Sequence, residues 1–187
     1  MSSVRIAVVG VSGSGKSTFA KRLSEKLALE WLELDALYHL ENWTPSPPED
    51  MRRAVFEFMQ SSTSWVIDGN YGLVRASVWS EATHVIWIDL PRHQLIPRLL
   101  KRSAQRIIAR KRLWNENREG ISALFSTDPK KNVWLHAWQS HPKIRRQYSA
   151  DCVDPKWNHL RFVRVRTLQE VDDTFDALCS QFRKRGS

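Results

Sequence analysis

Apolar positions along the chain form short continuous runs that alternate with segments striped at three- and four-residue intervals. Residues 4–9, VRIAVV, read as a buried strand, and Phe19, Leu23 and Leu27 put one apolar face on a helix from about Lys16 to Ala28. WLEL at 31–34 predicts a second strand that ends at Asp35, and residues 36–46 read as loop. Ser46-Pro47-Pro48-Glu49 has capping-box spacing with proline at the first helical position, and Met51, Val55 and Phe58 follow on one face. SWVI at 64–67 predicts a third strand leading into Asp68-Gly69-Asn70, and HVIWI at 84–88 a fourth leading into Asp89-Leu90-Pro91. A long basic helix is expected from about Arg92 to Leu113, with Pro97 in its first turn or kinking it. Residues 114–150 are expected to hold a loop and one or two helices. Leu160–Arg166 is the fifth strand, and Thr167-Leu168-Gln169-Glu170 is a second capping box, before a helix striped by Val171, Phe175, Leu178 and Phe182. Strands alternating with helices predict an α/β fold, a parallel sheet covered on both faces.

The first strand and helix flank GVSGSGKST, residues 10–18, which matches the Walker A pattern through Gly10, Gly15, Lys16 and Ser17. Glycines let backbone N–H groups turn inward around phosphate oxygens, and the helix that follows points its positive end at the same anion. Gly10, Ser12, Gly13, Ser14, Gly15, Lys16, Ser17 and Thr18 are therefore candidate nucleotide-binding residues. Lys16 supplies a point charge at the β- and γ-phosphates, and the Ser17 hydroxyl is placed to ligate Mg²⁺.

In open α/β sheets ligands bind beyond the carboxyl ends of the strands, and Asp35, Asp68 and Asp89 each end a predicted strand. A carboxylate there can hold Mg²⁺ through water or accept a proton from an attacking hydroxyl. Asp35 and Asp68 read as functional, whereas Asp89, before Leu90-Pro91, reads as a turn or capping residue. Arg98, Arg102, Arg106 and Arg110 recur every four residues on one helical face. Like charges at that spacing repel by a few tenths of a kcal/mol per pair, so the row suggests an anion to meet.

Composition adds two points. The chain has 187 residues, enough for one domain with a full core, and no apolar run long enough to cross a bilayer. No signal peptide is visible, and Cys152 and Cys179 stand in no metal or redox spacing, so a reduced cytoplasmic protein with no membrane partner, and a monomer, is expected. The net charge of +9 favours anionic partners without separating nucleotide from nucleic acid. Of the nine tryptophans, Trp31, Trp65 and Trp87 read as core, whereas Trp114, Trp134 and Trp138 lie in a basic stretch where ligand contact is open.

The motifs GVSGSGKST, ELDALYHLENW, WVIDGNY, HVIWIDLPR and LWNENREG, with the spacing Asp89…Arg98…Arg102, resemble the nucleoside monophosphate kinase group of P-loop proteins. Within it the chain is most similar to the adenylate kinase-related DNA topology modulation proteins. The resemblance spans about residues 4–150. It implies a three-layer α/β/α P-loop NTPase with a five-stranded parallel sheet, order 2-3-1-4-5, and a small helical lid. It implies one kinase-like domain over 1–187: a core of about 1–110 and 148–187, a lid-like insertion of about 111–147, and an acceptor-binding helical region near 36–62. By the same resemblance Arg98 lies over the donor's nucleobase, Arg102 reaches its phosphates, Asp68 organises Mg²⁺, and Asp35 works at the acceptor. The sequence departs from adenylate kinase where Gly-Asn-Tyr-Gly follows the third-strand aspartate in place of Gly-Phe-Pro-Arg. The acceptor-gripping arginine is missing there unless Arg75 or Arg52/Arg53 replaces it, and Arg118 or Arg145 would serve in the lid.

Three functions stay open at this level. The first is an ATP-dependent, Mg²⁺-requiring kinase of a small-molecule or nucleotide acceptor, with Lys16, Asp35, Arg102 and Arg118 as catalytic residues. The second is a nucleotide-binding regulator acting on DNA, with nucleic acid as a secondary partner. The third is a kinase of nucleic-acid ends.

Overall fold

A computed structural model describes residues 3–129 and 132–183. The outermost residues of the expected domain, 1–2 and 184–187, and residues 130–131 of the expected lid lie outside the described set. The chain runs β1 (Arg5–Gly10), α1 (Lys16–Leu27), β2 (Glu30–Glu33), α2 (Leu34–Tyr38), α3 (Pro48–Ser61), β3 (Trp65–Asp68) and α4 (Gly72–Glu81). It continues through β4 (His84–Ile88), α5 (Arg92–Ile108), α6 (Ser122–Phe125), α7 (Val133–Asp151), β5 (Arg161–Val165) and α8 (Leu168–Arg183). All five strands are parallel, in the order β2-β3-β1-β4-β5. This is the three-layer α/β/α arrangement of a P-loop NTPase.

The three central strands, β1, β3 and β4, read as apolar runs because helices cover both faces, whereas the edge strands β2 and β5 carry charged residues. Ile6 and Val8 of β1 pack with Phe19, Leu23, Leu95, Leu99, Phe175 and Leu178 on one side of the sheet. Ala7 and Val9 pack on the other with Met51, Val55, Val74, Val78 and Trp79. Register puts Asp68 beside Val8 of β1 and Glu33 of β2, so the phosphate loop and both carboxylates leave the sheet at one edge.

Several local expectations change. Helix α4 was not foreseen; Val74, Val78 and Trp79 bury one of its faces, and no side chain caps its start. Residues 36–46 are not all loop, since α2 covers 34–38 and a 3₁₀ turn covers 41–43. The Ser46 capping box is not made; α3 starts at Pro48 with Pro47 at the cap and no side-chain cap bond. The basic helix α5 ends at Ile108, short of Leu113, with Pro97 inside it and Arg110 in a left-handed turn beyond (φ 46°). At α8 the Glu170 N–H donates to Thr167 Oγ1 (3.1 Å), but the Glu170 carboxylate reaches back to the Arg166 N–H (2.6 Å), one residue earlier than a capping box requires. Helix α7 packs on α5 and contributes Ala137 and Tyr148 to the core. Among the described residues no helix is long and apolar enough to cross a membrane.

Candidate functional site

The phosphate loop joins β1 to α1, and its backbone conformation depends on glycine at two positions that matter for the site. Gly13 has φ +84°, and a Cβ there would stand 2.3 Å from Leu99 Cδ1, so the loop lies hard against α5. Gly15 caps α1 in the left-handed region (φ 95°), and a Cβ there would stand 3.3 Å from the Arg98 guanidinium. Arg98, otherwise exposed, therefore reaches the loop's backbone. Lys16 is buried at the base of α1, Ser12 is half-buried, and Thr18 is exposed on the first turn. The buried Ser14 hydroxyl has no hydrogen-bond partner among the described residues.

Asp68 closes the loop from the end of β3. It is 1% exposed; Ser17 Oγ donates to its Oδ2 (2.6 Å) and Trp31 Nε1 to its Oδ1 (2.8 Å). Burial pushes its carboxyl up to about 6, against the Ser17 hydrogen bond, the Lys16 charge and the Trp31 hydrogen bond, all of which favour the carboxylate; Glu33 pushes it further up. Ser17 Oγ and the Asp68 carboxylate are hard oxygen donors that fit Mg²⁺. Among the described residues no three His, Cys, Asp or Glu side chains form a cage for a metal ion, so a cation here would take its remaining ligands from phosphate and water.

Asp35 stands on the first turn of α2, past the end of β2. Its Oδ1 accepts from the Tyr71 hydroxyl (2.7 Å), and burial raises Tyr71 far above the ordinary phenol range, with the Asp35 charge adding to it. Tyr71 is thus a fixed donor that orients Asp35. A wall of rings extends from this pair. Tyr38 packs on Tyr71 (4.7 Å between centroids) and on His39 (5.0 Å), and His39 stacks on Trp114 (5.6 Å, 20°). Trp114 Nε1 donates to Glu33 (2.7 Å).

Trp114 arrives from the segment after α5, which docks on the segment after α2. Asn115 Nδ2 donates to the His39 carbonyl (2.6 Å). Asn117 Nδ2 donates to the carbonyls of Leu40 and Trp114, and its Oδ1 accepts from the Trp43 N–H (each 2.8 Å). Trp43 Nε1 donates to the Arg118 carbonyl (3.2 Å), while Arg118 itself is exposed at the rim. Both docked turns contain left-handed pairs: Asn42 and Trp43 (φ 57° and 58°), and Asn115 and Glu116 (φ 51° and 62°).

The arginine row divides. Arg102 is largely buried, and its Nε has no hydrogen-bond partner among the described residues. Burial and the neighbouring Arg106 lower its pKa, while Glu119, Asp35 and Glu33 oppose them, so its guanidinium faces the acidic side of the site. Arg106 pairs with Glu119 (2.6 Å), and Arg110 is exposed. Asp89 is structural, as its turn context suggests: it accepts from Arg164 Nε (2.9 Å) and Nη2 (2.5 Å) and pairs with Arg145 (3.2 Å). Arg145, an alternative to Arg118 for the lid, is thereby committed to Asp89. Arg75 pairs with Asp151 (3.0 Å), and Arg52 and Arg53 pair with Glu49 and Asp50 on α3.

The roles of Tyr71 and Asn117 escaped the sequence, and so did those of Asn70 and Trp31. Asn70 Oδ1 accepts from the Gly10 N–H (3.0 Å) and from the Tyr148 hydroxyl (3.0 Å), and its amide donates to the Gly10 carbonyl. It ties the start of the phosphate loop to β3 and α7. Trp31 is not simply core, because it holds Asp68. Of the three tryptophans left open, only Trp114 joins the site; Trp134 donates to the Leu124 carbonyl (2.8 Å), and Trp138 lies under Arg92 (4.5 Å).

A family profile described as an AAA domain matches residues 6–120. The chain is similar in structure to a gluconokinase from Sinorhizobium meliloti 1021 (17% identity, 100% of this chain and 99% of that one, TM-score 0.51). It is also similar to a shikimate kinase from Acinetobacter baumannii in complex with shikimate (14% identity, 98% and 94%, TM-score 0.56). A sugar kinase from Janibacter sp. HTCC2649 matches at 15% identity over 95% and 93% of the two chains, with TM-score 0.50. At these identities the likeness is one of fold. No curated protein matches the sequence.

Proposed function

This chain belongs to the AAA domain family, and from that premise we propose that it is an ATP-dependent, Mg²⁺-requiring phosphotransferase acting on a small acceptor. One observation carries the proposal: two carboxylates at the loop's mouth have different environments. Asp68 is buried against Ser17 beside Lys16, the setting of a metal-side group. Asp35 is only half-buried and oriented by Tyr71, the setting of an acceptor-side group. The kinases that share the fold support the same direction.

In this reading residues 10–18 hold the triphosphate, Arg98 covers the donor base, and Ser17 and Asp68 hold Mg²⁺. The ion supplies neutralisation of charge on the β- and γ-phosphate oxygens. Lys16 and Arg102 stabilise charge on the transferring group. Asp35 orients the acceptor hydroxyl and takes its proton as the oxygen–phosphorus bond forms and the β–γ bridge to ADP breaks. Arg118 rides on the segment between α5 and α7, which we assign as the lid, and its closure excludes water.

ADP release from Mg²⁺-ATP tests this. Wild type and Lys16→Ala are compared with no acceptor, nucleosides, nucleoside monophosphates, sugars or polyols, and 5′-hydroxyl oligonucleotides. An acceptor that raises turnover in wild type but not in Lys16→Ala supports the kinase. ATP binding that no acceptor stimulates, together with DNA affinity that falls steeply with salt, points instead to a nucleotide-gated regulator of the DNA topology modulation kind.

A further inference from the structure

We propose that the acceptor is a hydroxyl compound bearing no anionic group, uncharged or cationic, with a flat ring that lies against the aromatic wall. The proposal rests on the phosphotransferase reading and adds the acceptor's charge and shape. The acceptor side carries Glu33 and Asp35, and four rings stand with them: Tyr38, Tyr71, His39 and Trp114.

An acceptor phosphate or carboxylate needs a cation in this region, and four of the six arginines near it are paired with carboxylates. Arg75 is held by Asp151, and Arg106 by a Glu119 that is 5% exposed. Arg52 and Arg53 sit in short-range pairs with Glu49 and Asp50 on the exposed side of α3. Arg102 stands in the field of Glu33, Asp35 and Glu119 and is already assigned to the transferring phosphoryl group. The Arg118 side chain is exposed at the rim. An anion against these rings stands near the carboxylates of Glu33 and Asp35. A like charge about 6 Å away disfavours binding by roughly ten- to a hundredfold in a partly screened protein site.

The rings favour the opposite class of ligand. Aromatic faces are electron-rich, so they take a flat apolar ring by offset stacking or a cation by attraction to the face. His39 is kept neutral by burial, against the pull of Asp35, so it adds a ring without adding a positive charge. Transfer balances without another reactant. The acceptor oxygen bonds to the γ-phosphorus, the bond to the ADP oxygen breaks, and the hydroxyl proton goes to Asp35.

Matched acceptor pairs test the charge. Adenosine against AMP, thymidine against TMP, and glucosamine against gluconate are compared by kcat/KM for ADP release, using wild type, Lys16→Ala and Glu33→Gln. The expected result is at least a tenfold preference for the uncharged or cationic member in wild type. Glu33→Gln should shrink that preference about tenfold, because one wall charge is gone. Equal or inverted preference, or saturation only by monophosphates, overturns this inference while leaving the phosphotransferase reading intact. Turnover by no member above the Lys16→Ala rate overturns both.

Discussion

Replacing Asp68 with Asn separates what this site needs for function from what the fold needs for stability. The buried carboxyl titrates at about 6 in the folded chain against 3.8 for an unperturbed aspartate. The folded protein therefore keeps its proton at a pH where the unfolded chain has lost it. This group's cost to stability grows as pH rises from about 4 to about 6 and is fully present above that. Two pH units correspond to about 3 kcal/mol. Asparagine is neutral throughout, keeps a carbonyl for Trp31 Nε1, and turns an amide toward Ser17 Oγ. Without nucleotide, urea unfolding at pH 7.5 should show Asp68→Asn more stable than wild type by about 3 kcal/mol, falling to about 1 kcal/mol at pH 4.5. Saturating Mg²⁺-ATP should narrow the difference at pH 7.5, since ligand at a hundredfold its Kd adds about 2.7 kcal/mol to wild type and less to a variant that has lost a metal-side carboxylate. A variant less stable than wild type at pH 7.5, or a gap that ignores pH, would refute the view that burial outweighs Lys16 at this carboxylate.

The same protonation should shut phosphoryl transfer as pH drops through about 6. Trp31→Phe removes a hydrogen bond that favours the carboxylate, so the acid limb of the kcat/KM profile should move to higher pH. Tyr71→Phe leaves Asp35 without its 2.7 Å donor and should lower kcat/KM several-fold, about 1 kcal/mol, with far-UV spectra unchanged. Asn117→Ala removes three side-chain hydrogen bonds, two of them between the docked turns, and should cost about 2–3 kcal/mol locally, read as faster amide exchange at Trp43. Gly13→Ala must fit a Cβ 2.3 Å from Leu99 Cδ1 at φ +84°, and should lower thermal stability by about 2 kcal/mol or more, with Leu99→Ala relieving only the clash.

Residues whose structure is dictated locally were legible in the sequence. The run VRIAVV and the glycine pattern after it announced β1 and the phosphate loop, and the Phe175–Phe182 stripe announced α8. Strand order is not encoded in periodicity; it followed from the family resemblance. Helix α4 was missed because Tyr71 offers it no side-chain cap and its apolar face is only Val74, Val78 and Trp79. Ser17 and Asp68 were identified, each by its own local motif, but Trp31's bond to Asp68 depends on β2–β3 register, which no local pattern reveals. Asp35 was found as a residue but misplaced onto a strand end, since a five-residue helix draws its stability from what it packs against. The docking of residues 113–118 on 39–43 joins segments more than seventy positions apart and leaves no periodic trace in the sequence.

That docking is held against strain. Asparagine tolerates a left-handed backbone, but Trp43 and Glu116 do so at about 1–2 kcal/mol each. Undocking lets both relax, which offsets a good part of the hydrogen bonds lost. The clasp is sprung: its docked form holds the hydrogen bonds and the backbone strain together. The hold of residues 113–118 on 39–43 is thus the difference between two opposed contributions, and a change to either side of the balance is felt in full.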